Sequence, residues 1–251
     1  MNREATGLAG TRHTHYETLG STNAEALALA RAGERGPLWI TAARQTAGRG
    51  RRGNAWVSAP GNLYATLLLT EPSPKERAPQ LSFVTALALH DALASVAPHL
   101  GPLLALKWPN DLLLGGAKLA GILIEGESEP VFAVAIGIGV NCASHPTDTT
   151  YPAADLASAG ALVSPESLFA ALAAAMARRL EQWQRGERFA AIRADWLKRA
   201  AGLGRDIRVR LPEREFCGRF EGLDEAGRLL VGGTTGVTVV TAGEVFGLGI
   251  G

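Results

Sequence analysis

From residue 131 to 141 the chain alternates bulk with almost nothing. Phe132, Val134, Ile136, Ile138 and Val140 hold the even positions; from 133 onward Ala133, Ala135, Gly137, Gly139 and Asn141 hold the odd ones. A strand sends alternate side chains to opposite faces. This one therefore needs a sheet with one thick apolar face and one nearly bare face. A bare face admits a flat ligand or the close approach of a helix or another backbone, and the pattern alone leaves both open. Residues 118–124 carry a related signal. Alternation puts Lys118 one pleat ahead of Ala120 and Ile122 on a semi-buried face, with Gly121 leaving a gap on the other. A lysine at such a strand start needs an anion.

The surrounding elements suit that sheet. Ser21-Thr22-Asn23-Ala24-Glu25 opens an Ala/Leu-rich stretch, with Thr22 and Glu25 fitting a capping box and Gly33 a stop, so a helix is expected over 23–32. Strands are expected over 37–43, 62–70, 118–125 and 131–141, with short apolar runs at 103–106 and 112–114. Helices are expected over 81–96, from Pro165 behind a Ser164 cap to Gly186, and across Phe189, Ile192, Trp196 and Leu197. The first twenty residues show no clear periodicity. This order predicts an α+β fold: a mixed or antiparallel sheet with helices on one face. Gly202 and Gly204 mark a boundary between residues 1–203 and a tail, 204–251, whose short strands and frequent turns suggest a small β-barrel. So short a tail is marginal alone and should dock on the main domain.

Charge excludes several roles. Lys plus Arg number 25 and Asp plus Glu 24, a net charge of +1. That rules out nucleic-acid binding by bulk charge and leaves only a local patch. No apolar run approaches the ~18 residues a membrane span needs, and no secretory signal is readable. Cys142 and Cys217 form neither a disulfide framework nor a metal-ligand spacing, so a reduced, cytoplasmic setting is expected. His13 and His15 lack a partner carboxylate cluster, and Cys142 lacks an adjacent base, which favours an inert thiol.

Two segments could carry chemistry. The loop Gln45-Thr46-Ala47-Gly48-Arg49-Gly50-Arg51-Arg52-Gly53 matches G-x-G-x-x-G, but it runs into Asn54-Ala55-Trp56 and Pro60-Gly61 rather than into a helix, so the dinucleotide-binding reading fails. What remains is a glycine loop carrying arginines. It offers N–H groups and guanidinium forks to phosphate or carboxylate, or forms a solvated or RNA-contacting basic patch. In Lys107-Trp108-Pro109-Asn110-Asp111, Pro109 stiffens a corner that holds Lys107, Asn110 and Asp111 at a strand end; a plain turn would have the same sequence.

Taken in order and spacing, Ser21-Thr22-Asn23, the loop from Gln45 through Gly53 with Trp56, the Lys107 to Asp111 corner with Lys118-Leu119-Ala120-Gly121-Ile122-Leu123, and Gly137-Ile138-Gly139-Val140-Asn141 resemble the biotin protein ligases. The tail around Gly218 to Asp224, with Gly227, is similar to that family's small C-terminal SH3-like barrel. The resemblance implies a class II synthetase-like ligase domain over 1–203 and a reaction in two steps. Biotin carboxylate attacks the α-phosphate of ATP, giving biotinyl-adenylate and pyrophosphate; a carrier-protein lysine then attacks the anhydride and releases AMP.

It also implies roles. Ser21, Thr22, Asn23, Gln45, Gly48, Gly50 and the backbone near Arg49 would bind biotin, with Gly121, Gly137 and Gly139 as floor. Lys118 would bridge carboxylate and α-phosphate, with Asp111 and Arg51 as further catalytic groups. Arg49, Arg51, Arg52, Trp56, Lys107, Asn110 and Asn141 would serve ATP. ATP and Mg²⁺ are the implied cofactors, with no metal ligands assigned. A biotin carboxyl carrier protein is the implied partner of a monomer or homodimer. The motifs begin at Ser21, leaving no room for the DNA-binding helices of some members, so DNA binding is not expected. A lipoate ligase is the nearest alternative, although its Gly-Gly-Gly and His-Asp motif is missing. A non-catalytic adenylate-binding regulator is the other.

Overall fold

The computed structural model describes residues 3–6, 11–234 and 236–247. The main sheet contains β1 (Arg3–Thr6), β2 (Arg12–Leu19), β3 (Leu38–Gln45), β4 (Leu63–Thr70), β5 (Leu104–Lys107), β6 (Asp111–Leu114), β7 (Ala117–Glu127) and β8 (Ala133–Val140). Their order is β1-β2-β3-β4-β8-β7-β6-β5. β2 lies parallel to β3 and the remaining neighbours are antiparallel, so the sheet is mixed, as expected. β2, which periodicity does not reveal, is RHTHYETL: polar on both faces and only partly buried.

The helices are α1 (Thr22–Arg31), α2 (Leu81–Val96), α3 (Pro165–Trp183) and α4 (Phe189–Leu197). The expectation of helices on one face needs one correction. Val134, Ile136 and Ile138 share a core with residues of α2 and α3, such as Leu87 and Leu172. Helix α1 lies on the opposite face, where Ala26, Leu27 and Ala30 pack on Ile40, Leu68, Ala133 and Ala135. The physical reason is the side-chain size along β8. Alanines at 133 and 135 let a helix close in, and glycines at 137 and 139 let the side chains of Asn23 and Trp56 lie against the strand.

The tail forms a second sheet from β9 (Asp206–Arg210), β10 (Glu215–Leu223), β11 (Leu229–Gly233), β12 (Gly236–Val240) and β13 (Glu244–Gly247), ordered β12-β11-β10-β9-β13 and antiparallel throughout. Among the described residues β12 and β13 do not pair with each other, so the expected barrel is an open five-stranded sheet. It docks as expected. Ile207, Val209, Phe220 and Leu229 join the core of the main domain, and Trp108 Nε1 donates to Gly227 O at 3.0 Å. Gly227 (φ +83) backs onto Phe83 so closely that a Cβ there would lie 2.8 Å from the ring.

Helices α2, α3 and the segment of α4 are pinned by Arg179, which reaches Asp91 at 2.8 Å and Asp195 at 2.9 Å. Burial raises the Asp91 carboxyl, but hydrogen bonds from His90 and Arg179 and the charges of Arg179 and Arg199 outweigh it and bring its pKa down to about 2. The folded value lies below the unfolded one of ~3.9, so this stability is present above pH ~4 and is lost as pH falls towards 2. Arg179→Met is expected to destabilise by roughly 1–2 kcal/mol at pH 7, allowing for partial exposure. Urea denaturation of both proteins between pH 7 and pH 2.5 should show that difference shrinking with acidity.

Candidate active site

The bare end of β8 is the floor of a cavity of about 210 Å³. One wall is the start of α1. Ser21 is its N-cap, its hydroxyl accepting from Ala24 N at 3.4 Å. Glu25 is not the capping-box partner expected; its carboxylate accepts from the Tyr16 hydroxyl at 3.0 Å. Thr22 and Asn23 then face the sheet. The Thr66 hydroxyl lies 2.8 Å from Thr22 Oγ1 and 2.7 Å from Asn23 Oδ1. Thr22 donates its backbone N–H (2.8 Å) and hydroxyl (3.1 Å) to Gln45 Oε1, and Gln45 Nε2 donates to Ser58 Oγ at 3.1 Å. This chain of polar groups sets which way the Gln45 amide points before any ligand arrives.

The glycine–arginine loop is a small hairpin. Trp56 N donates to Gly48 O at 2.9 Å, Gly50 N to Asn54 O at 2.7 Å, and Arg49 bridges to Ala55. A Cβ on Gly48 would sit 2.6 Å from Trp56 O, so the two arms close only over glycine. The hairpin lays Trp56 onto the floor. A Cβ on Gly139 would lie 2.5 Å from its indole, and one on Gly121 2.9 Å. The Trp56 Nε1–H is buried there without a hydrogen-bond partner among the described residues. The arginines leave the hairpin for separate parts of the molecule: Arg49 to Glu125 on β7 at 3.1 Å, Arg51 to Asn110 Oδ1 at 3.2 Å, and Arg52 to Glu244 on the second sheet at 3.5 Å.

The corner opposite is rigid. Trp108 is buried, and Asn110 Nδ2 donates to Ile122 O at 2.7 Å. The register between β6 and β7 slips at Leu113, which pairs with Lys118 while Leu112 pairs with Ala120. That bulge corrects the strand-parity reading: Lys118 shares the face of Gly121, not that of Ala120 and Ile122. A Cβ on Gly121 would meet Lys118 Cε at 3.4 Å. A bulge re-aims one side chain without moving the rest of the strand. Here it turns Lys118 Nζ to within 2.8 Å of Asp111 Oδ1, over Trp56 at 5.6 Å and Tyr151 at 5.3 Å. The contact with Asp111 is electrostatic, without hydrogen-bond alignment. Lys107 stands 3.9 Å from the other Asp111 oxygen. Burial, and then the charge of Lys118, lower its pKa against the pull of Asp111.

Ser21, Thr22, Asn23, Gln45, Arg49, Gly50, Arg51, Trp56, Lys107, Asn110, Asp111, Lys118, Gly121 and Gly139 thus converge on one cavity. Gly48, Arg52 and Asn141 are not among its lining. Gly48 backs the hairpin, Arg52 turns to Glu244, and Asn141 is buried with its amide donated to Ala154 O at 3.0 Å. Sequence reasoning missed Tyr151, and also Arg210, Glu244 and Phe246, which line the cavity from the second sheet. Only the expectation that the tail docks pointed there. Cys142 is buried with its pKa raised to about 11 by burial, as an inert thiol requires. His13 and His15 both lie on the Thr41 hydroxyl, at 2.8 and 2.9 Å.

Residues 20–141 match the Biotin/lipoate A/B protein ligase family, and residues 202–247 match the Biotin protein ligase C terminal domain. The chain is 47% identical over 239 residues to a biotin--[acetyl-CoA-carboxylase] ligase of Paracoccus denitrificans, spanning 90% of this chain and 96% of that protein. The chain belongs to the biotin protein ligase family. Among solved structures of that family, it resembles the Aquifex aeolicus ligase in complex with biotin and ATP at 26% identity and a TM-score of 0.79, over 93% of this chain and 97% of that one. The Leishmania major ligase in complex with biotinyl-5-AMP matches at 27% and 0.66, over 92% and 98%. Among the described residues no helix is long and apolar enough to cross a membrane.

Proposed function

We propose that this protein activates biotin as biotinyl-5'-adenylate and transfers it to a lysine of a biotin carrier domain of acetyl-CoA carboxylase. The observation that carries the reading is the floor of Gly121, Gly137 and Gly139 ending at Lys118 under the arginine hairpin. Because these glycines carry no side chains, Asn23 and the Trp56 indole lie close against the sheet, leaving room beside them for a flat bicyclic head whose carboxylate end meets the ammonium. In the first step a carboxylate oxygen attacks the α-phosphorus and the bond to the pyrophosphate oxygen breaks. Lys118 holds the two anions together as charge gathers between them. Lys107 neutralises the departing pyrophosphate, and Arg51, fixed by Asn110, meets the phosphate that stays with the adenylate. In the second step the carrier amine attacks the anhydride carbonyl and AMP leaves.

Asp111 Oδ1 is buried without an aligned hydrogen bond. One carboxylate plus substrate phosphates and water is how Mg²⁺ is commonly held, so the residues fit that ion, with Asp111 as its protein ligand. When bound, Mg²⁺ supplies further charge neutralisation at the phosphates. Residues 1–203 are the catalytic domain in this reading, 204–251 the smaller C-terminal domain, from which Arg210, Glu244 and Phe246 line the cavity.

The test is to mix the protein with ATP, Mg²⁺ and either biotin or lipoate, following pyrophosphate release and labelling of a carrier lysine. Biotin alone should support both; lipoate activity without biotin activity overturns the reading. Gly139→Ala tests the floor. Its methyl displaces Trp56 and narrows the head-group space, and overpacking of this kind costs ~1–3 kcal/mol. The KM for biotin should rise about tenfold or more, and the thermal midpoint should fall by a few degrees.

A further inference from the structure

We infer that Glu125 is a positioning residue that clamps the arginine hairpin to the sheet at the head-group end of the cavity. The inference deepens the biotin-ligase reading and rests on it. Glu125 Oε2 accepts from Asn23 Nδ2 at 2.8 Å and from Arg49 Nη2 at 3.1 Å. One oxygen therefore ties the first turn of α1 and the first arginine of the hairpin to the end of β7. Asn23 sits over Gly137, where any Cβ would collide with its amide, so the clamp has one place to form. Arg49 is the bridge residue of the hairpin, and its two neighbours, Gly48 and Gly50, carry the hydrogen bonds to Trp56 and Asn54. Holding the Arg49 side chain therefore holds the backbone that continues from Gln45 and the Trp56 arm that covers the floor.

The charges divide the cavity accordingly. At the Glu125 end one carboxylate cancels one guanidinium, and the remaining groups, Ser21, Thr22, Asn23 and Gln45, are neutral. That end suits an uncharged hydrogen-bonding head. At the other end Lys107, Lys118, Arg51 and Arg210 outnumber Asp111 and Glu244, which suits carboxylate and phosphate. Arg49, which the motif alone groups with the phosphate-binding arginines, belongs by its contacts to the neutral end. Its guanidinium serves as a latch, and only its backbone faces the head group.

The experiment uses the full chain and Glu125→Gln, which keeps the shape and an acceptor for Asn23 and removes the charge that holds Arg49. Without any ligand, trypsin should cut between Arg49 and Arg52 about fivefold faster in the variant, the scale of a partly exposed ion pair. In biotin-dependent pyrophosphate exchange the KM for biotin should rise about fivefold, with kcat and the KM for ATP within about twofold. Arg49→Gln should give the same phenotype, and the double variant should add nothing, because both changes open one contact. Unchanged cleavage overturns the clamp. A variant that raises the KM for ATP instead makes Arg49 a phosphate ligand and overturns the division of the cavity. If the wild type ignores biotin while cleavage still responds to Glu125→Gln, the clamp stands and the substrate assignment fails.

Discussion

Lys118→Ala is expected to slow biotin-dependent pyrophosphate exchange by about 10²–10³, the usual cost of removing one group aimed at developing charge. The structure gives reasons to expect loss of chemistry rather than of fold. The strand at this position is held by main-chain bonds, Lys118 N to Pro152 O at 2.8 Å and Ala154 N to Lys118 O at 3.0 Å, which alanine keeps. The ammonium is partly exposed and lies over the rings of Trp56 and Tyr151 without filling the core. Asp111 loses its nearer cation but retains Lys107 at 3.9 Å. Lys118→Arg should recover little, since a planar fork does not replace a point charge set between two anions. Measuring exchange beside the thermal midpoint decides the matter. Near-normal exchange would reject the bridging role, and a midpoint lowered in step with the rate would make the residue structural.

How far the sequence could be read follows from what kind of order each part depends on. The alternation in residues 131–141 was legible because strand parity is local, and both uses it allowed occur on one strand: Ala133 and Ala135 take a helix, Gly137 and Gly139 take the cavity. Alternation marks Lys118 as a lysine needing an anion but puts it on the wrong face, because a one-residue bulge leaves no mark in the alternation it breaks. β2 was missed because a strand with polar residues on both faces has no apolar period. Arg210, Glu244 and Phe246 reach the cavity only through docking of the second sheet, a long-range event that no local pattern encodes. Glu125 reads as one more charge at a strand end until Asn23 and Arg49 are placed beside it. The biotin assignment drew on family resemblance; the residues alone reached an anion-binding lysine, a basic glycine loop and a bare floor.

Arg51→Gly is expected to loosen retention of biotinyl-adenylate more than it slows its formation. Arg51 pays for its position: burial and the charge of Arg52 both act against its guanidinium, and Asp111 and Glu244 only offset them. Its sole hydrogen bond among those described is to the neutral Asn110 Oδ1. A half-buried cation so placed gains most from an anion, which the adenylate phosphate supplies. The gain should hold the hairpin shut over the anhydride and keep water out until a carrier lysine arrives. Lys118 remains to support the first step in the variant, so adenylate still forms. With the latch at Arg51 gone, and glycine adding backbone freedom beside Gly50 and Gly53, the intermediate escapes and acylates exposed lysines of bystander proteins. The measurement is the ratio of bystander to carrier labelling, mutant against wild type, with trypsin cleavage of the hairpin followed with and without biotin and ATP. The ratio should rise at least about tenfold, and ligands should protect the wild-type hairpin more than the mutant one. An unchanged ratio, with cleavage indifferent to ligand in the wild type, would show that the hairpin is not a lid and that retention of the adenylate lies elsewhere in the cavity.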